Sequence, residues 1–404
     1  MPPPPTGPLE GVRVVDVTSI VMGPLATQIF GDLGADVITV EDPRGTLSRV
    51  MTAGPHPQLS GVALNLLRNK RNVVLDLKTA GGHGALMRLV ATADVLVTNL
   101  RPGTLDRLGL GYAEVASVRP DIVYCQAQGY PTDSERADAP AYDDVIQAAT
   151  GLPDTFRRMG GDPAFVPSLV ADKVSGLTIA YAVMAALLHR ARTGEGQRVE
   201  VPMVDVMTAF TLVEHAGAAT ARPAQGPPGY GRILSPGRRP QRTSDGWISV
   251  LPYTRANFED LFRAGGREDL AADERIRSAR ARIANADDLY REVADIIAQR
   301  TTAEWLTFCR QAEVPASVVP TLDELVDGLE EDDHPVAGRY KVIPQPVRFS
   351  RASGATVRRP AALSGQHTDE VLAELGPPPA WPVTPDRAGD GSARHSTPDP
   401  GEGL

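Results

Sequence analysis

Asp172 is the residue with the clearest chemical potential. It stands in the segment PSLVADKVSG, directly before a long apolar stretch with helical spacing. A carboxylate at the start of a helix is favoured in its ionised form by the helix dipole and the free amide groups there. Taken alone, this position indicates a plain helix cap. Ser175 and Gly176 follow one turn later and leave space for a bulky ligand, and a buried helix would place the acid in a cleft. There a partly desolvated carboxylate can attack an acyl group as a covalent nucleophile.

Other catalytic patterns are absent from the sequence. The seven histidines are scattered and form no zinc-ligand cluster, so we expect no metal site. The nucleophile motif of serine hydrolases and the phosphate loop of NTPases are both missing. Cys125 and Cys309 are the only cysteines, which excludes a disulfide scaffold and indicates a reducing cytoplasm. Cys125 follows a strand, and we interpret it as a small buried hydrophobe rather than a nucleophile.

The first strand–helix–strand unit resembles a dinucleotide-binding unit but lacks its fingerprint. Glycines 23, 31 and 34 are spaced too widely for the tight pyrophosphate turn, although Glu41 and Asp42 stand where a ribose-binding acid belongs. We therefore expect a Rossmann-like fold that does not bind NAD.

Composition narrows the class of protein further. The chain has 404 residues, a net charge of −9 and a pI near 5.4, which argues against a nucleic-acid-binding body. No run approaches the roughly 18 uninterrupted apolar residues of a membrane span, and the N-terminus lacks the pattern of a secretory signal. We expect a cytoplasmic enzyme with no membrane partner.

The elements that must position Asp172 alternate between strand and helix. Strands are predicted at residues 12–17, 37–40, 73–77, 95–98 and 122–126, with helical stretches between several of them. This order predicts a doubly wound α/β fold with a parallel sheet. A long helix at 172–191 is apolar on nearly every side, so we expect it to be buried.

Changes in composition suggest the domain organisation. We expect mobile or disordered tails at 1–8 and 376–404, and a large Rossmann-like domain at 9–219. A linker at 220–244 precedes a smaller α+β domain at 245–325, and residues 326–375 form a second linker that returns to the large domain. Five arginines and no acid lie between residues 222 and 242, whereas residues 330–333 read EEDD. We interpret both segments as solvated loops.

Several segments together resemble the class III CoA-transferases, the CaiB/BaiF family that includes formyl-CoA transferase and carnitine CoA-transferases. The correspondence runs from about residue 8 to residue 376 and is carried by the segments PLEGVRVVDVTSIVMGPLATQIFGDLGADVITVE, NKRNVVLDLKT, ADVLVTNLRPGTLDRLGLGY, PSLVADKVSG, RTGEGQRVEVPMVDV, DGWISV and SGQHTDEVLAELG. Each segment is weak evidence, but their shared order and spacing identify the chain as a member.

The resemblance implies a mechanism and a set of site residues. In these enzymes an aspartate at the position of Asp172 attacks an acyl-CoA thioester, forming a mixed anhydride and then an aspartyl-CoA thioester, and CoA passes to a carboxylic acid acceptor. Coenzyme A is thus a substrate, and no permanent cofactor is required. The residues implied to contact CoA are Leu75, Lys78, Asn99, Leu100 and Arg107, with Arg44 and Arg101 as further candidates for phosphate. Tyr142, Asp143, Val21 and Gly176 are expected at the substrate pocket.

Departures from the family pattern bear on the substrate. Val21 replaces the glutamine of formyl-CoA transferase, and no run of consecutive glycines matches the mobile loop of that enzyme. Both differences disfavour oxalate or formate. A medium or branched carboxylate, or a dicarboxylate such as succinate, remains open, and the arginines at 232–242 motivate the dicarboxylate.

Three alternatives remain. An α-methylacyl-CoA racemase has an essential histidine where this chain has Tyr142, and a phenol with a pKa near 10 is a poor base at neutral pH. An NAD-dependent oxidoreductase is disfavoured by the missing glycine turn. A non-catalytic CoA-binding protein would not need Asp172. The resemblance also implies an intertwined homodimer, with which the two long linkers are consistent.

Overall fold

The computed structural model describes residues 7–351 and 356–376. Most of the two tails predicted at 1–8 and 376–404 lies outside these residues. The centre of the molecule is a sheet of six strands: β1 (Arg13–Val17), β2 (Asp36–Glu41), β3 (Lys70–Val74), β4 (Val95–Thr98), β5 (Val123–Gln128) and β6 (Gln197–Pro202). All neighbouring pairs are parallel, in the order β3-β2-β1-β4-β5-β6. This is a Rossmann-like doubly wound sheet, as predicted.

Helices cover both faces of the sheet. They are α1 (Met22–Asp32), α2 (Gly61–Leu66), α3 (Ala80–Ala91), α4 (Pro102–Leu108), α5 (Tyr112–Val118), α6 (Asp143–Ala149), α7 (Leu152–Arg158), α8 (Val170–Thr193) and α9 (Met203–His215). Successive residues of a strand point to opposite faces, so Val14 packs with α1, α6, α8 and α9, whereas Val15 packs with α3, α4 and α5. The central strands therefore read as continuous apolar runs because both of their faces are buried.

Helix α8 is buried on one face only, which corrects the expectation of all-round burial. Its inner face contacts α1, α6, α9 and the sheet. Its outer face leaves Leu177, Tyr181 and Leu188 more than half exposed. The helix has the length and hydropathy of a membrane span, yet 44% of its most apolar window is buried inside the protein. The described part of the chain leaves these apolar side chains uncovered.

A second unit follows with its own core. Its antiparallel sheet consists of β7 (Gln241–Arg242), β8 (Trp247–Val250) and β9 (Ala316–Val318), and its helices are α10 (Arg255–Ala264), α11 (Glu268–Ala271), α12 (Ala279–Ala284), α13 (Ala286–Ile297) and α14 (Thr302–Gln311). Trp305 and Phe262 are fully buried at its centre. Because β7 pairs with β8, the end of the expected linker at 220–244 belongs to this small α+β unit. The exact domain boundaries stay a prediction.

The last part of the chain leads back to the large sheet. Helix α15 (Leu322–Asp327) is followed by the hairpin β10 (Glu331–His334) and β11 (Gly338–Lys341), and later by α16 (Thr368–Glu374). Acidic residues 331–333 thus form a strand paired with β11, not the solvated loop that we expected. Short 3-10 turns occur at Leu47–Arg49, Gly217–Thr220 and Glu274–Ile276. Arg71 anchors α16 by ion pairs with Glu374 and Glu370.

Candidate active site

A cleft lies at the carboxyl edge of the large sheet, where the strand order reverses between β1 and β4. Ligands of doubly wound folds bind at this switch point, because the chains leave neighbouring strands in opposite directions there. Asn99, directly after β4, exchanges two hydrogen bonds with the backbone of Ser19, directly after β1. This pairing joins the two loops that form the floor of the cleft.

The cleft gathers most of the side chains that the family resemblance assigns to CoA. Its volume is about 910 Å³, and the predicted residues that line it are Leu75, Lys78, Leu100, Arg107, Arg44 and Tyr142. Asn99 supports the loop beneath the cleft and does not line it. The guanidinium of Arg101 donates to the Asp138 carbonyl oxygen and likewise lies outside the lining. The contacts of these residues with CoA stay a prediction.

Two features of the cleft were missed in the sequence. Helix α3 begins at the cleft: Thr79 caps its N-terminus and no acid lies in its first turn. Such an N-terminus presents free amides and a positive dipole end, which suit phosphate. A threonine directly before a helix and next to Lys78 was the available signal. Arg44 is partly neutralised by Asp42, whose pKa it lowers to about 2 through hydrogen bonds.

The β1–α1 turn at the cleft floor is held in an unusual conformation. Ile20 has a φ of 72°, which a β-branched residue rarely adopts. Beneath it, Asp16 accepts hydrogen bonds from the amide and hydroxyl of Thr18. The ammonium of Lys70 lies 3.2 Å from Asp16 and 2.7 Å from the Thr27 hydroxyl. Burial lowers the pKa of Lys70, and Asp16 opposes that shift. This buried ion pair therefore fixes the turn from below.

Asp172 is the third residue of α8 and is 8% exposed. The N-cap position belongs to Leu169, so the interpretation of Asp172 as a plain cap is wrong. The expectation that the helix start stabilises the ionised form is also wrong, because burial and, secondarily, the charge of Asp143 raise the pKa of Asp172 to about 7. In the described part of the chain, no group donates a hydrogen bond to its carboxylate. The side chain is thus a poorly solvated carboxyl group.

Asp143 is the second acid of this site. Its Oδ1 accepts a 2.9 Å hydrogen bond from the backbone amide of Asp172, and its Oδ2 accepts a 2.6 Å bond from Nε2 of Gln147. Oε1 of Gln147 accepts in turn from the amide of Val166, in the segment before α8. Gln147 is fully buried and was missed in the sequence, where nothing distinguishes it from a surface glutamine. The two side chains together position the start of α8.

The remaining pocket residues lie at different places. Tyr142 is 62% exposed and lines the cleft, so it connects the cleft with the adjacent Asp143. Val21 is buried directly before α1. A Cβ on Gly176 would lie 2.7 Å from the Met22 carbonyl oxygen, so Gly176 allows α8 to approach α1 closely. The ligand space that we expected beside Gly176 is filled by that helix.

Cys125 lies within β5, and its side chain is in the core on one face of the sheet, where burial raises the pKa of its thiol to about 12. This confirms its interpretation as a buried hydrophobe, since a protonated, enclosed thiol is a poor nucleophile. Over residues 7–351 and 356–376, no three His, Cys, Asp or Glu residues are grouped as a metal site requires.

Comparison with known proteins places this chain in a family. The family model described as CoA-transferase family III matches residues 9–368. The chain belongs to CoA-transferase family III. As a family member it is a CoA-transferase, an enzyme class that uses CoA thioesters as substrates.

Relatives span nearly the same length as this chain. It is 34% identical to the "Probable fatty acyl-CoA transferase Rv3272" of Mycobacterium tuberculosis, over 91% of this chain and 98% of that protein. It is 30% identical to the succinyl-CoA:glutarate CoA-transferase of Mus musculus, over 91% of this chain and 86% of that protein. A crystal structure of a CaiB/BaiF family protein from Brucella suis matches with a TM-score of 0.77 and 27% identity, over 92% of this chain and all of that one.

Proposed function

We propose that this CoA-transferase moves CoA from an acyl-CoA to a carboxylic acid through covalent intermediates on Asp172. The observation that carries the proposal is the state of that side chain. It is buried, receives no hydrogen bond from the described residues, and has a pKa raised to about 7. A carboxylate without a hydration shell is a stronger nucleophile than one in water.

The proposed reaction has four steps. An Asp172 oxygen attacks the thioester carbonyl carbon, the C–S bond breaks, and a mixed anhydride and a CoA thiolate result. The thiolate attacks the aspartyl carbonyl, which releases the donor acid and leaves an aspartyl-CoA thioester. The acceptor carboxylate attacks this thioester and forms a second anhydride, again releasing the thiolate. The thiolate then attacks the acceptor carbonyl, yielding the new acyl-CoA and restoring the Asp172 carboxylate.

The cleft supports the placement of CoA. Lys78, Arg107 and the N-terminus of α3 provide positive charge and free amides for the phosphates of CoA. Leu75 and Leu100 supply apolar surface for the adenine end. Tyr142 lines the same cleft and precedes Asp143, so the thioester end of a bound CoA can extend along it toward Asp172.

The proposed identity of the donor and acceptor acids is supported by the names of relatives and by Val21. The mouse relative is named for the dicarboxylates succinate and glutarate, and the mycobacterial one for fatty acyl groups. An apolar Val21 suits a medium or branched chain better than oxalate. The arginines at 232–242 do not form one cluster: Arg239 is exposed, and Arg242 lies over the Trp247 ring.

An intertwined cytoplasmic homodimer is part of this proposal. The outer face of α8 and the end of α9 expose Tyr181 and Val213, the latter by 83%. Leu322 on α15 is 80% exposed, in the segment that leads from the small unit back to the large sheet. Apolar surface spread over both units is what a wrapped partner chain would cover.

The mechanism is tested by oxygen transfer and by trapping. If both carboxylate oxygens of the acceptor acid are ¹⁸O, one ¹⁸O should be transferred to the carboxylate of Asp172. In later turnovers this ¹⁸O should appear in the released donor acid. Intact-protein mass spectrometry over a panel of acyl-CoAs, with hydroxylamine trapping, should locate the adduct at Asp172. D172N should lose the adduct and the transfer, whereas D144N, at an exposed neighbouring acid, should retain both.

Other outcomes would decide between the alternatives. Transfer without ¹⁸O in Asp172 would overturn the covalent route. Exchange of α-deuterium into an acyl-CoA without transfer would favour the racemase. In the described part of the chain no histidine bonds to Asp172 or Asp143, so no observation favours that second function.

A further inference from the structure

A small cavity in the second unit contains positive charge for which the described residues supply no counter-ion. Its volume is about 60 Å³, and the residues that matter for its chemistry are Tyr230, Arg232, Tyr253, Phe258, Arg282 and Tyr290. It shares no lining residue with the cleft at the large sheet. No acidic side chain is among the residues that line it.

Arg232 has one nitrogen that no described protein group satisfies. Its Nε donates to the Tyr290 hydroxyl at 3.1 Å, and its guanidinium lies 4.5 Å from the centre of the Tyr253 ring. Its Nη2 is buried without a hydrogen-bond partner. A buried donor without an acceptor is energetically costly, and more so when it is charged. The Tyr230 side chain also lies close enough to raise the pKa of Arg232, but Nη2 is left free to donate to an acceptor beyond the described residues.

The fully buried arginines of this protein show the contrast. Arg49, Arg68 and Arg71 each form ion pairs with a carboxylate of the same chain at 2.8 Å or less. Neither Arg232 nor Arg282 forms an ion pair with a described residue. Nη1 of Arg282 donates a hydrogen bond to the Ile276 carbonyl oxygen. Arg232 and Arg282 are half-buried, and among the described residues neither has the carboxylate partner that the three fully buried arginines have.

We propose that this cavity binds a short aliphatic carboxylate. The planar guanidinium of Arg232 matches a carboxylate, and the Tyr290 hydroxyl, which accepts from Arg232, has its own proton free to donate to the same anion. At about 10–15 Å³ for each water-sized atom, the volume of about 60 Å³ accommodates roughly four to six non-hydrogen atoms, and propionate has five. Phe258, Ile283 and Leu289 provide apolar walls for a short alkyl group. This site requires neither Asp172 nor its chemistry.

Calorimetric titration of the full-length protein with propionate, at constant ionic strength, tests the proposal. Saturable binding in the millimolar range should weaken at least tenfold in R232Q. It should weaken in Y290F as well, a variant that removes only the hydroxyl and preserves the ring. R239Q, at an exposed arginine of the same segment, should bind within twofold of the unchanged protein. Propionate can also reach the catalytic site. The decisive quantity is therefore the decrease in propionate affinity of R232Q and Y290F relative to the unchanged protein.

Three results would overturn the proposal. One is the absence of saturable propionate binding. The second is binding that R232Q and Y290F leave unchanged, which would assign it to the catalytic cleft. The third is equal competition by chloride, which would make the cavity a general anion site. Circular dichroism and transferase activity of Y290F show whether its fold and catalysis are intact.

Discussion

The backbone amide of Asp172 donates a 2.9 Å hydrogen bond to the carboxylate of Asp143, so two acids are held side by side at the start of α8. The same contact that orients the helix start also places a second negative charge next to Asp172, the proposed nucleophile. Together with burial, that charge raises the pKa of Asp172. This hydrogen-bonded pair thus helps to position Asp172 and adds to the effect of burial, which is the main cause of its raised pKa.

Transfer should rise with pH through neutrality. With a pKa of about 7, Asp172 is mostly protonated at pH 5.5 and ionised at pH 8.5, and only the ionised form can attack. We expect the single-turnover rate of adduct formation to fall about tenfold for each unit below pH 6.5. Stopped-flow measurement of thiolate release between pH 5 and 9 checks this. A flat profile would contradict the raised pKa.

Removing the Asp143 charge should move this profile to lower pH. D143N keeps an oxygen that can accept from the Asp172 amide but removes the repulsion between the two acids. The midpoint of the profile should therefore shift toward acid, even if the maximal rate drops. D144N is the matched control, because its carboxylate is exposed, and its midpoint should stay in place. An unchanged midpoint in D143N would show that burial alone sets the pKa.

D172N should be more stable than the unchanged protein at high pH. The native pKa of about 7 lies above the usual 3.8, so the native state binds more protons between these values, and stability falls as pH rises through that window. The neutral amide removes this loss, which amounts to at most about 4 kcal/mol above pH 8. Denaturant unfolding at pH 8.5 and pH 4 checks the difference. If D172N is also more stable than the unchanged protein at pH 4, the stabilisation has a cause other than the raised pKa of Asp172.

Charges in the cleft should govern CoA affinity and not the chemical step. We expect K78Q and R107Q each to raise the KM for acyl-CoA about tenfold, since a charge-assisted hydrogen bond contributes about 1.5 kcal/mol or more. Their kcat should change less than threefold. R192Q, at an exposed arginine on α8, should leave both constants unchanged. A fall in kcat without a change in KM would place Lys78 or Arg107 outside the CoA site.

Breaking the Asp16–Lys70 pair should cost stability. K70M leaves the Asp16 carboxylate buried without its cation, which typically costs about 3–5 kcal/mol. The double variant D16N/K70M removes both charges, and its free energy of unfolding should fall less than that of K70M alone. Urea unfolding measures both, with K173M as the exposed-lysine control. Equal stability of K70M and the unchanged protein would mean that Lys70 is neutral in the native state.

Charged residues on the exposed apolar surface should weaken self-association. V213D and L322D replace side chains that are 83% and 80% exposed in the single chain, so the fold of each chain should persist. If a partner chain covers these positions, sedimentation velocity at micromolar concentration should show a shift from dimer to monomer. R310D, at an exposed polar position of the small unit, is the control. A protein that is monomeric before substitution would refute the dimer.

The sequence alone determined the parallel sheet and the family, and it singled out Asp172 as the proposed nucleophile. Continuous apolar runs such as residues 13–17 predict strands buried on both faces, and motif order and spacing are properties of the linear chain. Lys78 and Arg107 were recognised in the same way, from motif positions, and the fold brings them to one cleft.

Only the tertiary structure decided the electrostatic state of Asp172. A helix start viewed locally predicts a stabilised carboxylate, but burial among distant elements and the proximity of Asp143, 29 positions earlier, reverse the direction of the pKa shift. Gly176 is a similar case. Its lack of a side chain allows α8 to pack closely against α1, and it does not provide space for a ligand. The unpaired Arg232 could not be found from the sequence either, because the absence of a counter-ion depends on which side chains surround it in space.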